Sequence, residues 1–269
     1  MTNDHEETPA ERRGARDLAA RFAFLFDGKK PPEDERLWFE SLDCLAAFEP
    51  RPCLRSELGR ESRFAMRQLT LGAASHFLAV IRRNGDPKDD PNGGRSDDPR
   101  HDREWLWPAA DLPPTDIVYD CGEEILHGKA KPILCDLSTA PLRVFAILPT
   151  QVERLVLSVR EGRASLGAAD ASGRVIAARV PFQATAPLDP LANGVRSYYA
   201  AADTDGWLRL SNDKLFGERL EAGIAGRSAP ERTVRIRSLL NGLTAVVRLG
   251  GGKPPELLEE QFDPQPLPW

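Results

Sequence analysis

Two tryptophans, Trp105 and Trp107, stand two positions apart in the segment REWLWP. In an extended strand that spacing places both rings on one face, and flat amphipathic rings are what the apolar C–H surface of a sugar stacks against. Tyr198, Tyr199 and Trp207, in SYYAAADTDGW, form a second aromatic group with the same capacity. All five also fit as core or strand-edge residues, because aromatic side chains are ordinary components of β structure.

Carboxylates offer a second chemistry. Asp203-Thr204-Asp205-Gly206 resembles the centre of a calcium loop, but Ala201 stands where one ligand belongs and Asn212 where the closing bidentate glutamate belongs. A hairpin turn in which Asp203 caps backbone amides and Gly206 takes a left-handed conformation accounts for the same four residues. Upstream, Asp86, Asp89, Asp90, Asp97, Asp98 and Asp102 hold enough oxygens for a calcium ion. Lys88, Arg95, Arg100 and several prolines dilute that field, which suits a solvated loop. Calcium is the one cofactor the composition leaves open.

Catalytic constellations lack their partners. With His5 near the terminus, His76, His101 and His127 are the histidines open to general base work, and His76 lies in an apolar run where a packed histidine is the simpler reading. No G-x-S-x-G elbow is present, and Ser211-Asn212-Asp213-Lys214 matches S-x-x-K without its companion motifs. Gly250-Gly251-Gly252-Lys253 is followed by Pro254-Pro255 rather than a helix, so it reads as a linker and not a phosphate loop. Glu123, Glu124 and Asp136 lie near strands and supply a carboxylate pair only if the fold brings them together. No catalytic residue is assigned, and the balance leans away from an enzyme.

Cys44, Cys53, Cys121 and Cys135 contain no C-x-x-C and have few histidine partners at zinc spacing, so they read as ordinary thiols. In an exported protein Cys121 and Cys135, flanking one hairpin, are the pair able to form a disulfide. A net charge of −5 with basic and acidic residues interleaved argues against a nucleic-acid surface. No stretch approaches the roughly 18 apolar residues of a membrane span, and the polar start shows no signal peptide. A soluble protein follows, its compartment open: either it stays inside or the chain lacks its true beginning.

The elements that must position these residues are mainly strands. Thr8-Pro9 opens a helix running to Phe26, and Leu37, Trp38, Leu42, Leu45 and Phe48 mark a second, amphipathic helix. Residues 1–58 thus form an N-terminal helical segment. Residues 59–160 are expected as a β unit, with two strands in 62–82, where a helix is the competing reading, and a long acidic loop over 84–103. From Ile117 onward DIVYD, PILCDL, LRVFAILP and ERLVLSV follow one another, and strands at Ala164–Leu166, Val175–Phe182, Val195–Ala201, Trp207–Leu210, Thr233–Ser238 and Thr244–Leu249 continue the series. Short strands with turns every eight to twelve residues or so predict one or two antiparallel β-sandwich units, the second over 161–250 and followed by a Pro-rich tail, 251–269.

The stretch ILCDLSTAPLRVFAILPTQVERLVLSV, preceded by DIVYDC, resembles a segment of large, mostly uncharacterised bacterial proteins related to glycoside hydrolases. ARVPFQATAPLDPLANGVRSYYAAADTDGWLRLS and RTVRIRSLLNGLTAVVRL are similar to the terminal immunoglobulin-like unit of those proteins. The resemblance covers roughly residues 117 to 250, and its motifs are structural. It implies an accessory region, since a catalytic barrel of about 250 residues has no room before residue 117. It also implies exported relatives. The expected function is therefore a non-catalytic accessory protein that binds polysaccharide or packs against a carbohydrate-active protein. A small acid-dependent glycan hydrolase and a structural envelope or macroglobulin-like module are the alternatives.

Overall fold

The computed structural model describes residues 48–49, 53–70, 75–82, 102–138, 142–161, 163–187, 195–210 and 231–262. The expected N-terminal helices lie outside these residues, apart from Phe48, which is in a strand, and so do Asp86, Asp89 and Asp90 of the acidic loop. The described residues form a mainly β protein of several antiparallel sheets, with no α-helix among them. None of their helices is long and apolar enough to cross a membrane.

The central sheet has six strands: β1 (Phe48–Glu49), β3 (Phe64–Thr70), β4 (His76–Arg82), β9 (Leu142–Leu148), β6 (Ile117–Asp120) and β7 (Ile125–Lys129), in that spatial order. Strand β9, LRVFAIL, is buried along its whole length. Leu142, Val144, Ala146 and Leu148 join a large core on one side, and Phe145 and Ile147 join a smaller core on the other. Coverage on both faces is why Phe77–Ile81 of β4 and Val144–Leu148 of β9 read as continuous apolar runs instead of alternating ones.

A small three-stranded sheet, β2 (Leu54–Ser56), β5 (Arg103–Pro108) and β8 (Ile133–Asp136), closes the smaller core. Its inward Leu54, Leu106, Ile133 and Cys135 meet Leu78, Val80, Val118 and Phe145 of the central sheet. The large core is shared with two C-terminal sheets. One is β10 (Arg154–Arg160), β11 (Arg163–Ala169) and β14 (Trp207–Arg209). The other is β13 (Val195–Ala201), β12 (Pro181–Pro187), β15 (Arg232–Ser238), β16 (Leu243–Leu249) and β17 (Glu256–Phe262).

The two halves are tied by specific bonds as well as by apolar packing. Val152 N–H donates to the buried Tyr119 hydroxyl at 2.7 Å, and Asn241 Nδ2 donates to the Val152 carbonyl at 3.0 Å. Arg237 pairs with Glu124 at 2.6 Å, so that glutamate serves packing between β15 and the β6–β7 turn. The composition break near residue 160 falls inside the β10–β11 hairpin, where Arg160 faces Arg163.

No disulfide joins Cys121 and Cys135: Cys121 lies in the large core and Cys135 in the small one, so the central sheet keeps them apart. Three expectations are corrected. No strand begins at Val175. Ile176, Ala178 and Val180 are buried in alternation, but Ala178 N–H and Val180 N–H bond two residues back, making γ-turns until β12 starts at Pro181. The Pro-rich tail carries strand β17 instead, paired to β16 after a turn in which Gly250, Gly251 and Gly252 all have positive φ. Finally, the Asp203–Gly206 turn is not a hairpin, because β13 and β14 belong to different sheets.

Candidate functional site

Strand β5 alternates exposed and buried from Arg103 to Trp107. Glu104 and Leu106 point into the small core, so the period of two sends Trp105 and Trp107 outward. Their side chains remain 44% and 51% exposed, unusually open for tryptophan. Residues facing each other across antiparallel strands share a face, so the register builds the rest of the surface. Leu134 of β8 lies opposite Trp105 and is also exposed; Arg55 of β2 lies opposite Trp107; Asp136 lies opposite Arg103. The result is an apolar strip, Trp107, Trp105 and Leu134, rimmed by planar charged groups.

Buried polar bonds hold this face rigid from below. The Glu104 carboxylate, inside the core, accepts from Ser56 Oγ at 2.6 Å, Ser62 Oγ at 2.6 Å and Arg63 N–H at 2.8 Å. Those bonds clamp β2 and the turn before β3 onto β5. At the rim, Arg103 Nε donates to Asp136 at 2.7 Å. Asp136 is held below the usual carboxylate range: slight burial opposes this, but the Ser138 hydroxyl and amide and the Arg103 guanidinium outweigh it. Glu57, an exposed residue, donates its N–H to the Trp105 carbonyl at 3.0 Å.

The second aromatic group is divided between two sheets. Tyr198 packs against the large core, while the Tyr199 hydroxyl accepts from Gln183 at 3.3 Å in the same sheet. Trp207 belongs to another sheet and lies over Gly167, where an added Cβ would come within 3.2 Å of the indole. The fold therefore brings Trp105 and Trp107 together and spreads the other three over separate surroundings.

Acidic candidates are likewise engaged in structure. Asp203 Oδ1 accepts from Asp205 N–H at 3.0 Å and Trp207 N–H at 2.9 Å, the bonds of a capped turn, and Asp205 is exposed. Among the described residues no group of three or more His, Cys, Asp or Glu is arranged to hold a metal ion. His76 is half-buried, its Nδ1 3.3 Å from the Gln68 amide nitrogen.

One buried cluster was not legible in the sequence. Asp120 accepts from Gly122 N–H at 2.8 Å and Glu123 N–H at 3.1 Å, and pairs with Arg143 at 3.2 Å. Arg143 also pairs with Glu123 and reaches the Asp136 carbonyl at 3.0 Å, bridging the central and small sheets. Burial pushes the Asp120 carboxyl up, against the pull of Arg143 and the two amides. Burial pushes the nearby His127 down, opposed by Asp120, and pushes the Cys135 thiol up. A thiol so disfavoured as thiolate is a poor nucleophile, and the cluster reads as an inter-sheet tie.

No protein-family model, characterised protein or solved structure matches the chain.

Proposed function

We propose that this chain is a non-catalytic β-sandwich accessory protein that binds glycan through the outer face of the small sheet. The observation that carries the reading is the pair Trp105 and Trp107, side by side on β5, half-exposed, and fixed from beneath by the Glu104 bonds. Half-exposed indoles on a rigid sheet stack on sugar C–H faces without an ordering cost, and the guanidinium and carboxylate rim hydrogen-bonds hydroxyls. The resemblance of residues 117 to 250 to the immunoglobulin-like region of glycoside-hydrolase-related proteins supports the same reading.

Affinity electrophoresis through gels containing a panel of polysaccharides tests it, with reducing-sugar release assayed in parallel with and without calcium. Retardation without sugar release, lost in Trp105→Ala and Trp107→Ala, is the expected result. Released sugar would replace this reading with an acid-dependent hydrolase. Neither effect would leave the face to a protein partner or the chain to a structural role.

A further inference from the structure

We infer that the tryptophan face takes the interior of a neutral, linear glycan rather than a single terminal sugar or a charged polymer. This rests on the glycan reading above and narrows it on two observations.

The first is spacing. Trp105 and Trp107 are alternate residues of one straight strand, so their attachment points lie roughly 6.6–6.8 Å apart along β5. One pyranose ring covers one indole and leaves the other wet. A chain lying along the strand covers both, and each further ring adds binding without further orientation cost. Leu134, in register with Trp105, widens the strip sideways into the next strand and gives the chain a broad floor rather than a socket.

Charge balance is the second observation. Described charged groups around the strip include Arg55 opposite Trp107, Glu57 bonded through its N–H to the Trp105 carbonyl, and the Arg103–Asp136 ion pair. Among these four described groups cations and carboxylates are matched one to one, so together they give a polyanion no net attraction. What the four share is planar hydrogen-bonding chemistry: guanidinium forks donate to hydroxyl oxygens and carboxylates accept from hydroxyl protons. A polyhydroxylated chain without charge uses both.

Calorimetric titration with mono-, di-, tri- and tetrasaccharides of the cello, xylo and manno series, and with polygalacturonate fragments of matching length, tests this. Affinity is expected to rise about tenfold or more between the sugar that covers one ring and the oligosaccharide that covers both, with little dependence on salt. Trp105→Ala is expected to flatten that length dependence with thermal unfolding unchanged, a result that a merely structural tryptophan would not produce. Monosaccharides binding as well as tetrasaccharides, or binding confined to polygalacturonate and lost in salt, would overturn the inference while leaving glycan binding in place. If no polysaccharide retards the chain and no oligosaccharide binds, the inference falls together with the reading it rests on.

Discussion

Ser62 and Glu104 lie 42 residues apart in the chain and 2.6 Å apart in the fold, hydroxyl to buried carboxylate. Together with Ser56 Oγ and Arg63 N–H, that contact fixes the strand whose other face carries the tryptophans. Removing the carboxylate strands buried donors. Glu104→Ala is expected to cost about 3 kcal/mol, with Glu104→Gln milder, read from the midpoint of urea unfolding. A midpoint unchanged by Glu104→Ala would mean that the clamp contributes nothing.

On the same strand, three neighbouring residues should respond in opposite ways. Leu106 is fully buried between Trp105 and Trp107, so Leu106→Ala is expected to destabilise by about 2–5 kcal/mol through cavity formation. Trp105→Ala and Trp107→Ala remove half-exposed rings and should change stability by under about 1 kcal/mol. Thermal melts of the three variants side by side check the assignment of faces.

Gly206 has φ +86°, and a Cβ there would sit 2.0 Å from the Ile176 carbonyl oxygen. Gly128 has the same φ with open space around it. Gly128→Ala should therefore cost about 1–2 kcal/mol of backbone strain alone. Gly206→Ala should cost far more, because backbone has to move. Equal melting temperatures for the two variants would contradict this packing.

The Tyr119 hydroxyl is fully buried and is the acceptor for Val152 N–H. Tyr119→Phe keeps the ring and orphans that amide, at an expected cost of about 1–3 kcal/mol in unfolding experiments. Burial also pushes the phenol up to about 12. Since the unfolded phenol ionises near ~10, stability should fall as pH rises above that value, and one phenolate should titrate late by absorbance.

His127 gives the acid-side counterpart. Its ring is packed at a tilt against Phe145, its Nε2 is buried with no hydrogen-bond partner among the described residues, and burial holds it below its ordinary value. Lys131 and Arg143 act in the same direction, while Asp120 and Glu123 oppose. Below pH ~6.5 the unfolded chain takes up a proton that the folded ring resists, so this contribution to stability is present above that pH and is lost as pH falls. Urea midpoints from about pH 7 to about pH 5 should decline, and His127→Gln should flatten the decline.

Much of the β structure was legible because its physical cause is local. Strand β9 is apolar apart from Arg143, β13 is bounded as its sequence indicates, and the W-L-W spacing put both tryptophans on one side of β5 without saying which side faces out. Glu104 was hidden in plain view: parity with Leu106 places it inward, but a carboxylate between an arginine and a tryptophan reads as surface until its hydroxyl partners from β2 and the following turn are known. Strand β17 escaped notice because ELLEEQF lacks alternation and follows two prolines; its pairing with β16 comes from the glycine turn that folds it back.

What the residues determined by themselves is an antiparallel β protein with two tryptophans on one side of a strand, since strand propensity and side-chain alternation act over a few neighbouring positions. Tertiary structure alone decided the rest. It placed β13 and β14 in different sheets, so that Tyr198 and Tyr199 parted from Trp207; it turned Cys121 and Cys135 to opposite faces; it set Arg55, Leu134 and Asp136 around the tryptophans. Each of these depends on which distant strands share a hydrogen-bonded edge, and that choice is made by burying whole faces at once, not by the local pattern of any one strand.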